Sequence, residues 1–197
     1  IQFMSNLRDI INYNKHPLDN YSYIDLCRKE IVDKSLLVLN NFITNECLNE
    51  LILEALLLED KAFYCSQNHT ILLNKCDNSL LSDDPLNIEV KSDKGCVPHD
   101  LIGENSKLNI MYKSSIFKKF LKKVLNLKDL YPYADKLSSI NYNFYQKNQQ
   151  LGWHFDNASF AITLMIQSSD SGGEFQYVSK GRDYNKNYID KSYINKI

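Results

Sequence analysis

The hydrophobic pattern of the chain changes its period near residue 140. Before that point apolar residues recur three or four positions apart, and after it they alternate with polar residues. The first pattern predicts helices that bury one stripe, and the second predicts strands that bury one face. Helices followed by a run of short antiparallel strands indicate an α+β fold in which the helices pack on a sandwich or barrel.

Three segments carry the helical pattern. Residues 23–34 form a short amphipathic stripe, and residues 114–127 form a second one that is apolar on one face and lysine-rich on the other. Between them, Thr44 is a predicted N-cap for a helix over the following residues, with Glu46 in its first turn. The apolar positions of that helix are Leu48, Leu51, Ile52, Ala55 and Leu58.

The strand predictions fall in two parts of the chain. Residues 35–43 are a short apolar run that predicts one strand. Alternation later predicts four more, at 140–146, 151–156, 160–167 and 173–178. Residues 60–110 are polar and contain prolines and glycines, which predicts a long irregular loop of the kind that often carries function.

Bulk composition excludes several classes of partner. A chain of 197 residues and 23.0 kDa is typical of one domain. The net charge of −1 gives no basic surface for nucleic acid or for an anionic membrane, and no apolar run approaches the length of a membrane span. The five cysteines are odd in number and form no C-x-x-C motif, which predicts a reduced, cytoplasmic protein.

His154 and Asp156 form a His-x-Asp pair on one of the predicted strands. Residues two apart on a strand point to the same side, so the imidazole and the carboxylate can converge on one cation. With a second histidine they would make the 2-His-1-carboxylate triad that binds Fe(II) and leaves coordination sites open. By spacing alone, a half-buried strand that happens to carry polar residues is the competing interpretation.

The wider context adds a resemblance. The stretch LGWHFDNASFAITLMIQ (151–167), then GGEFQYV (172–178) and Arg182, resembles the Fe(II)/2-oxoglutarate-dependent oxygenases of the prolyl-hydroxylase type, in particular a group of small bacterial and marine enzymes. The likeness continues upstream through HPLDNY (16–21), SLLVLNNFI (35–43), KSDKG (91–95) and LYPYAD (130–135), so it covers nearly the whole chain.

The resemblance implies a fold and a reaction. The fold would be a double-stranded β-helix, or jelly roll, within one domain over residues 1–197, with helical support from 20–130 packed on one sheet and jelly-roll strands within 138–180. The reaction would be the oxidation of a small molecule, such as a free amino acid or a derivative, with Fe(II), 2-oxoglutarate and O₂. The halogenases of the family have glycine or alanine at the position of Asp156, so an aspartate there implies hydroxylation or a related C–H oxidation instead.

Residue roles follow from the same resemblance. His154 and Asp156 would be iron ligands, and Tyr145 would hydrogen-bond 2-oxoglutarate, with Asn143 on the same strand face as a weaker candidate. Thr163 fills a position that faces the cosubstrate in some relatives. Arg182 would pair with an acidic group of substrate or cosubstrate, although a solvated loop arginine is an equally simple interpretation.

Two elements of the family's pattern are not found after Arg182: the distal histidine ligand and the basic residue that anchors the far carboxylate of 2-oxoglutarate. The resemblance therefore implies that the C-terminal strands are missing, which leaves the activity of this chain alone an open question. His16, His69 and His99 all precede the motif.

Three functional hypotheses remain from the sequence. The first is an Fe(II)/2-oxoglutarate dioxygenase with a small-molecule substrate and no nucleic-acid or membrane partner. The second is a catalytically degenerate or truncated jelly-roll scaffold that acts as a binding protein. The third is a cupin-like metalloenzyme that uses no 2-oxoglutarate, in which an upstream histidine completes the site. The substrate and the oligomeric state stay open.

Overall fold

The computed structural model describes residues 6–183 and 188–194, which divide into two compact units. Unit 1 comprises the residues up to Lys61 together with Val97–Tyr142, and unit 2 comprises Ala62–Cys96 and the residues from Asn143 onward. The predicted α+β class is confirmed in its coarse form, as helices and a small antiparallel sheet. That the two units make up the single domain predicted for 1–197 stays a prediction.

Unit 1 is helical. Its α-helices are α1 (Leu7–Ile10), α2 (Tyr21–Lys34), α3 (Asn45–Leu58), α4 (Lys107–Lys113) and α5 (Ser115–Val124), with short 3₁₀ turns at Glu59–Lys61 and His99–Leu101. The three helices predicted from periodicity, α2, α3 and α5, are confirmed with bounds close to those expected.

Side chains at the helix starts explain these bounds. The Thr44 hydroxyl accepts a hydrogen bond from the Cys47 N–H at 3.2 Å, as predicted for the cap of α3. Ser114 caps α5 in the same way through the Phe117 N–H at 3.3 Å. Such caps satisfy amide groups that the first helical turn leaves without partners.

The apolar core belongs mainly to unit 1. The large side chains with less than 2 % exposure include Phe120, Ile10, Ile11, Leu18 and Leu51, all of which lie in that unit. In unit 2 the buried apolar residues among those described are Ile71 and Ile194, while several buried residues there are polar. Among the described residues, no helix combines the length and the apolar character that crossing a bilayer requires.

Unit 2 contains the sheet. Strands β1 (Phe63–Thr70) and β2 (Glu89–Val97) form an antiparallel hairpin whose register pairs Phe63 with Cys96 and Thr70 with Glu89. Strand β3 (Tyr142–Phe144) lies beside β2, which gives the order β1-β2-β3, and the division between the units falls at the end of β2 and the start of β3.

The remainder of unit 2 has little regular structure. A two-residue ladder joins β4 (Arg182–Asp183) to β5 (Tyr188–Ile189), and α6 (Lys191–Ile194) follows. Lys191 Nζ lies 2.7 Å from Asp84 Oδ2, which fixes α6 to the loop between β1 and β2 and lowers the pKa of Asp84.

Several strand predictions are wrong. Residues 35–43 form no strand beyond a single bridge between Ile43 and Ile11, since the chain turns at Asn41, which adopts a left-handed conformation with φ 56°. Residues 60–110 are not an irregular loop, because they hold the hairpin and the start of α4.

The strand predicted at 140–146 is confirmed as β3, whereas 151–156, 160–167 and 173–178 form no strands. In residues 151–156, isolated hydrogen bonds to the hairpin region take the place of a strand ladder. In the other two, the exposure of Ile162, Met165 and Phe175 shows that alternation there is not matched by a buried face. The described residues therefore show no jelly roll, which stays a prediction.

Candidate metal centre

The segment that carries His154 is held against the β1–β2 hairpin by isolated hydrogen bonds. The Gly152 N–H donates to the Ser92 hydroxyl at 2.9 Å, on one side of the histidine. On the other side, the Phe155 N–H donates to the Ile71 carbonyl at 2.8 Å. The backbone on both sides of His154 is thus pinned to the hairpin without a strand ladder.

Asp93 of β2 forms a third attachment, to Gln150, which lies two residues before Gly152. Its backbone N–H donates to the Gln150 carbonyl at 2.8 Å, and its carboxylate accepts from the Gln150 N–H at 2.7 Å. Lys91 Nζ lies 2.7 Å from the same carboxylate, and these two donors, the lysine first, lower the pKa of Asp93. A charged, well-bonded carboxylate therefore anchors the chain where it enters the His154 segment.

Gly152 lies so close to β2 that no side chain fits there. A Cβ built on Gly152 would lie 2.7 Å from the Lys91 carbonyl oxygen and 2.9 Å from a methyl carbon of Val90. Backbone atoms cannot move aside as a flexible side chain can, so glycine is required by close approach.

His154 and Asp156 face each other across 3.5 Å, measured from Nε2 to Oδ1. The other ring nitrogen, Nδ1, lies 2.7 Å from the Gly152 carbonyl oxygen. Because a carbonyl can only accept, Nδ1 carries a proton, and in the neutral form of the ring the lone pair lies on Nε2, on the side of the carboxylate. The imidazole is 19 % exposed and the carboxylate 55 %, so the pair opens to solvent on the aspartate side.

The other three histidines differ from His154 in their bonding. In each of them, both ring nitrogens have hydrogen-bond partners between 2.6 and 2.9 Å away: Tyr23 and Asn40 for His16, Thr70 and Ser92 for His69, Ser139 and Asn109 for His99. His154 is therefore the one of the four histidines in which a ring nitrogen, Nε2, lies outside a hydrogen bond and faces a carboxylate. A site completed by an upstream histidine, as in the cupin-like hypothesis, would first have to break one of these bonds.

The pair fits a metal site in donor type, tautomer and spacing. Ligands about 2.1 Å from a first-row cation are about 3.0 Å apart at a right angle and about 3.4 Å apart at a tetrahedral angle, close to the observed 3.5 Å. A metal-binding histidine commonly donates its other N–H to a backbone carbonyl, as His154 does to Gly152.

A third protein ligand is not found with them. Within residues 6–183 and 188–194, no group of three or more His, Cys, Asp or Glu side chains is placed to hold a metal ion. The remaining residues of the printed chain include none of these four types. His69 is the nearest described imidazole, with its ring centroid 6.2 Å from that of His154, and its nitrogens are engaged elsewhere.

Arg182 lies beside the pair. Its Nη1 donates to the Asp156 carbonyl at 2.9 Å, and its guanidinium carbon lies 5.7 Å from the centre of the Phe155 ring. An open depression of about 180 Å³ has a lining formed by Phe155, Asp156, Ala158, Ser159, Phe160 and Arg182. The depression therefore combines aromatic walls, one carboxylate and one guanidinium at the side of the pair that faces solvent.

The structure places the three remaining predicted residues without testing their roles. Tyr145 is 47 % exposed, and partial burial, with a smaller effect from Cys96, raises its pKa. Asn143 lies on β3 and Thr163 in the irregular segment after Asp156, and both are exposed. Contact of these side chains with a cosubstrate stays a prediction.

Sequence reasoning missed the residues that hold the segment in place. Ser92, Asp93 and Lys91 belong to KSDKG, a stretch that resembled the oxygenase group but had no role assigned to it. His69 lies in a range predicted to be loop. No local pattern in either stretch predicts contact with the residues around position 152, because hydrogen bonds between distant segments produce no periodicity in the sequence.

Comparison with known proteins adds no relative. No family model, curated protein or solved structure matches the chain.

Proposed function

We propose that the chain is a non-haem Fe(II)/2-oxoglutarate-dependent dioxygenase, an oxidoreductase that hydroxylates a small molecule such as a free amino acid or a derivative. One observation carries the proposal: among the four histidines, His154 alone has a ring nitrogen left for a metal, and that nitrogen faces the Asp156 carboxylate at 3.5 Å. These two residues are the proposed protein ligands, and the expected fold around them is the jelly roll.

Bound Fe(II) and 2-oxoglutarate would supply the oxidation, in which O₂ and 2-oxoglutarate yield succinate, CO₂ and one hydroxyl group on the substrate. The chain's own residues would bind and orient. His154 presents Nε2 because Gly152 holds the proton on Nδ1, and Asp156 contributes the negative charge that a divalent cation favours.

Arg182 would meet the acidic end of a bound molecule. Its guanidinium lines the depression next to Asp156, and guanidinium groups bind carboxylates through paired hydrogen bonds. The rings of Phe155 and Phe160 offer apolar surface in the same depression. Tyr145, Asn143 and Thr163 stay as the further proposed contacts of 2-oxoglutarate.

The proposal predicts a weak iron site that depends on both ligands. With Fe(II) and 2-oxoglutarate added without oxygen, we expect the visible charge-transfer absorption of an iron–2-oxoglutarate chelate. His154→Ala and Asp156→Ala should each abolish that absorption, since each removes one of two protein ligands. Asp170→Ala, which removes an exposed aspartate from the same part of the chain, is the matched control and should leave the absorption unchanged.

Added imidazole sharpens this test. Because the described residues supply two ligands, free imidazole should occupy a vacant coordination position and strengthen Fe(II) binding in the unsubstituted chain, measured by competition with a chelator. In Asp156→Ala the gain should be much smaller. Absorption that persists in both ligand variants would show that the iron binds elsewhere.

The second hypothesis, a jelly-roll scaffold that binds without catalysis, is favoured by one observation, the lack of a third ligand among the described residues. It predicts no absorption and no metal-dependent shift in the unsubstituted chain, with or without imidazole. The depression beside Arg182 would then bind its small acidic molecule without iron, which equilibrium dialysis with 2-oxoglutarate alone would detect.

A further inference from the structure

Hydrogen bonds link the end of β1 to His154 through Ser92 and the backbone of Gly152. They begin at the Thr70 carbonyl, which lies 2.7 Å from His69 Nδ1, and continue from His69 Nε2 to the Ser92 hydroxyl at 2.6 Å. Ser92 accepts from the Gly152 N–H at 2.9 Å, and the Gly152 carbonyl lies 2.7 Å from His154 Nδ1. We call these four residues, His69, Ser92, Gly152 and His154, the positioning chain.

The direction of each hydrogen bond between His69 and the Gly152 N–H follows from the Thr70 carbonyl. The Thr70 carbonyl can only accept, so His69 carries its proton on Nδ1 and its Nε2 must accept from the Ser92 hydroxyl. The serine hydroxyl has then used its single proton and offers lone pairs, one of which receives the Gly152 N–H. Each donor from His69 to the Gly152 N–H thus has its own acceptor.

Burial makes that arrangement rigid. His69 is 4 % exposed and Ser92 is 7 % exposed, so water does not compete freely for their bonds. The Gly152 N–H is held by Ser92 and the Phe155 N–H by the Ile71 carbonyl, so the backbone on both sides of the Gly152 carbonyl is attached to the hairpin region. The carbonyl that receives the His154 proton is consequently held in one orientation.

We infer that Ser92 and His69 are positioning residues, which orient the Gly152 backbone and thereby keep a proton on His154 Nδ1 and leave Nε2, which faces Asp156, as the nitrogen open to a cation. Neither residue touches the proposed metal. The inference rests on the proposed function in one respect, that His154 is a ligand, but its structural step can be measured without any metal.

The first measurement is the tautomer of His154 in the metal-free chain, read from ring ¹⁵N chemical shifts at a pH where imidazole is neutral. The unsubstituted chain should show His154 with the proton on Nδ1. Ser92→Ala removes the hydroxyl that holds Gly152, and we expect a mixture of the two tautomers. Ser92→Thr restores a hydroxyl and should restore the single tautomer.

The second measurement is the affinity for Co²⁺, followed by its visible absorption. Loss of an outer hydrogen bond to a metal-binding histidine typically costs tenfold to a hundredfold in affinity, and we expect a loss of about tenfold in Ser92→Ala. Ser139→Ala is the matched control. It removes a serine hydroxyl from another histidine, His99 in unit 1, and should change neither the His154 tautomer nor the Co²⁺ affinity.

A second substitution serves the same test if Ser92→Ala does not fold. If Ser92→Ala loses its native Trp153 fluorescence, His69→Phe takes its place, since it keeps a ring beside His154 while removing the acceptor of the serine proton. The expected result is again a mixed tautomer. An unchanged tautomer and an unchanged Co²⁺ affinity, in whichever variant folds, would overturn the inference.

The outcomes separate this inference from the proposed function. A tautomer that depends on Ser92, in a chain that binds no metal, would retain the positioning role and reject the oxygenase. Metal binding that is lost in Asp156→Ala but unchanged in Ser92→Ala and in His69→Phe would retain the metal site and reject the positioning role.

Discussion

Gly152→Ala is expected to destabilise unit 2 by about 3 kcal/mol, because the new methyl group meets backbone that cannot move aside. Its Cβ would lie 2.7 Å from the Lys91 carbonyl oxygen, closer than any ordinary contact. Separation of the segment from β2 would also break the bond from the Gly152 N–H to Ser92. Overpacking and a lost buried hydrogen bond therefore act in the same direction.

Trp153 gives this prediction a local probe. It is the only tryptophan of the chain and lies in unit 2, so its fluorescence during urea unfolding reports on the segment itself. The helical circular dichroism comes mainly from α2, α3, α4 and α5 of unit 1. We expect the fluorescence midpoint to fall clearly in Gly152→Ala, with a smaller change in the helical signal.

Gly103→Ala is the matched control for the same substitution. A Cβ at Gly103 would meet nothing within 4 Å, so its effect should stay within about 0.5 kcal/mol. Equal destabilisation by the two alanines would show that the close approach at position 152 does not exist. Metal binding gives a second readout, since the displaced Gly152 carbonyl would no longer orient His154.

Helices were predictable because their signals are local. The stripe in α3 and its Thr44 cap lie within 15 residues of each other, and the structure shows both. The hairpin was not predictable in this way. Strand β1 has six consecutive exposed residues, so it lacks the alternation by which a half-buried strand is detected.

The candidate site was predictable only in its ligands. The spacing of His154 and Asp156 suggested convergence on one side of a strand, and the two side chains do meet, although no strand forms there. What brings them together is the bond from His154 Nδ1 to Gly152 and the attachment of Gly152 to Ser92, 60 residues away. Long-range hydrogen bonds of this kind depend on tertiary placement, which a single sequence does not encode as a pattern.

Alkaline pH is expected to destabilise unit 1 strongly, because several of its buried groups remain protonated in the folded state. Burial, with the Glu50 charge as a lesser cause, raises the pKa of Cys47 from 9.0 to about 11. Burial and the hydrogen bond to Glu54 raise the pKa of Tyr142, and burial with a hydrogen bond to Cys27 raises that of Tyr23. All three groups have ordinary values of 9.0 or 10.0 when unfolded.

The sign follows from proton binding. Below about pH 9 these groups are protonated in both the folded and the unfolded chain, so the full stability is present. As the pH rises, the unfolded chain releases protons that the folded chain retains, so the free energy of unfolding falls by about 1.4 kcal/mol per pH unit and group. Summed over about two pH units for Cys47 and about one pH unit for each tyrosine, the loss at pH 11 is roughly 5 kcal/mol.

Urea unfolding of unit 1 between pH 8 and pH 11, followed by helical circular dichroism, measures this loss. Tyr142→Phe removes one titrating group, so its curve should lose less stability between pH 10 and pH 11, by about 1.4 kcal/mol, even if it is less stable at pH 8. Tyr131→Phe is the matched control, since Tyr131 lies in the same unit and is 78 % exposed, and its slope should equal that of the unsubstituted chain. If Tyr142→Phe and Tyr131→Phe gave the same slope, the Tyr142 phenol would have to ionise as readily in the folded chain as in the unfolded one, and the buried bond to Glu54 could not be intact in solution.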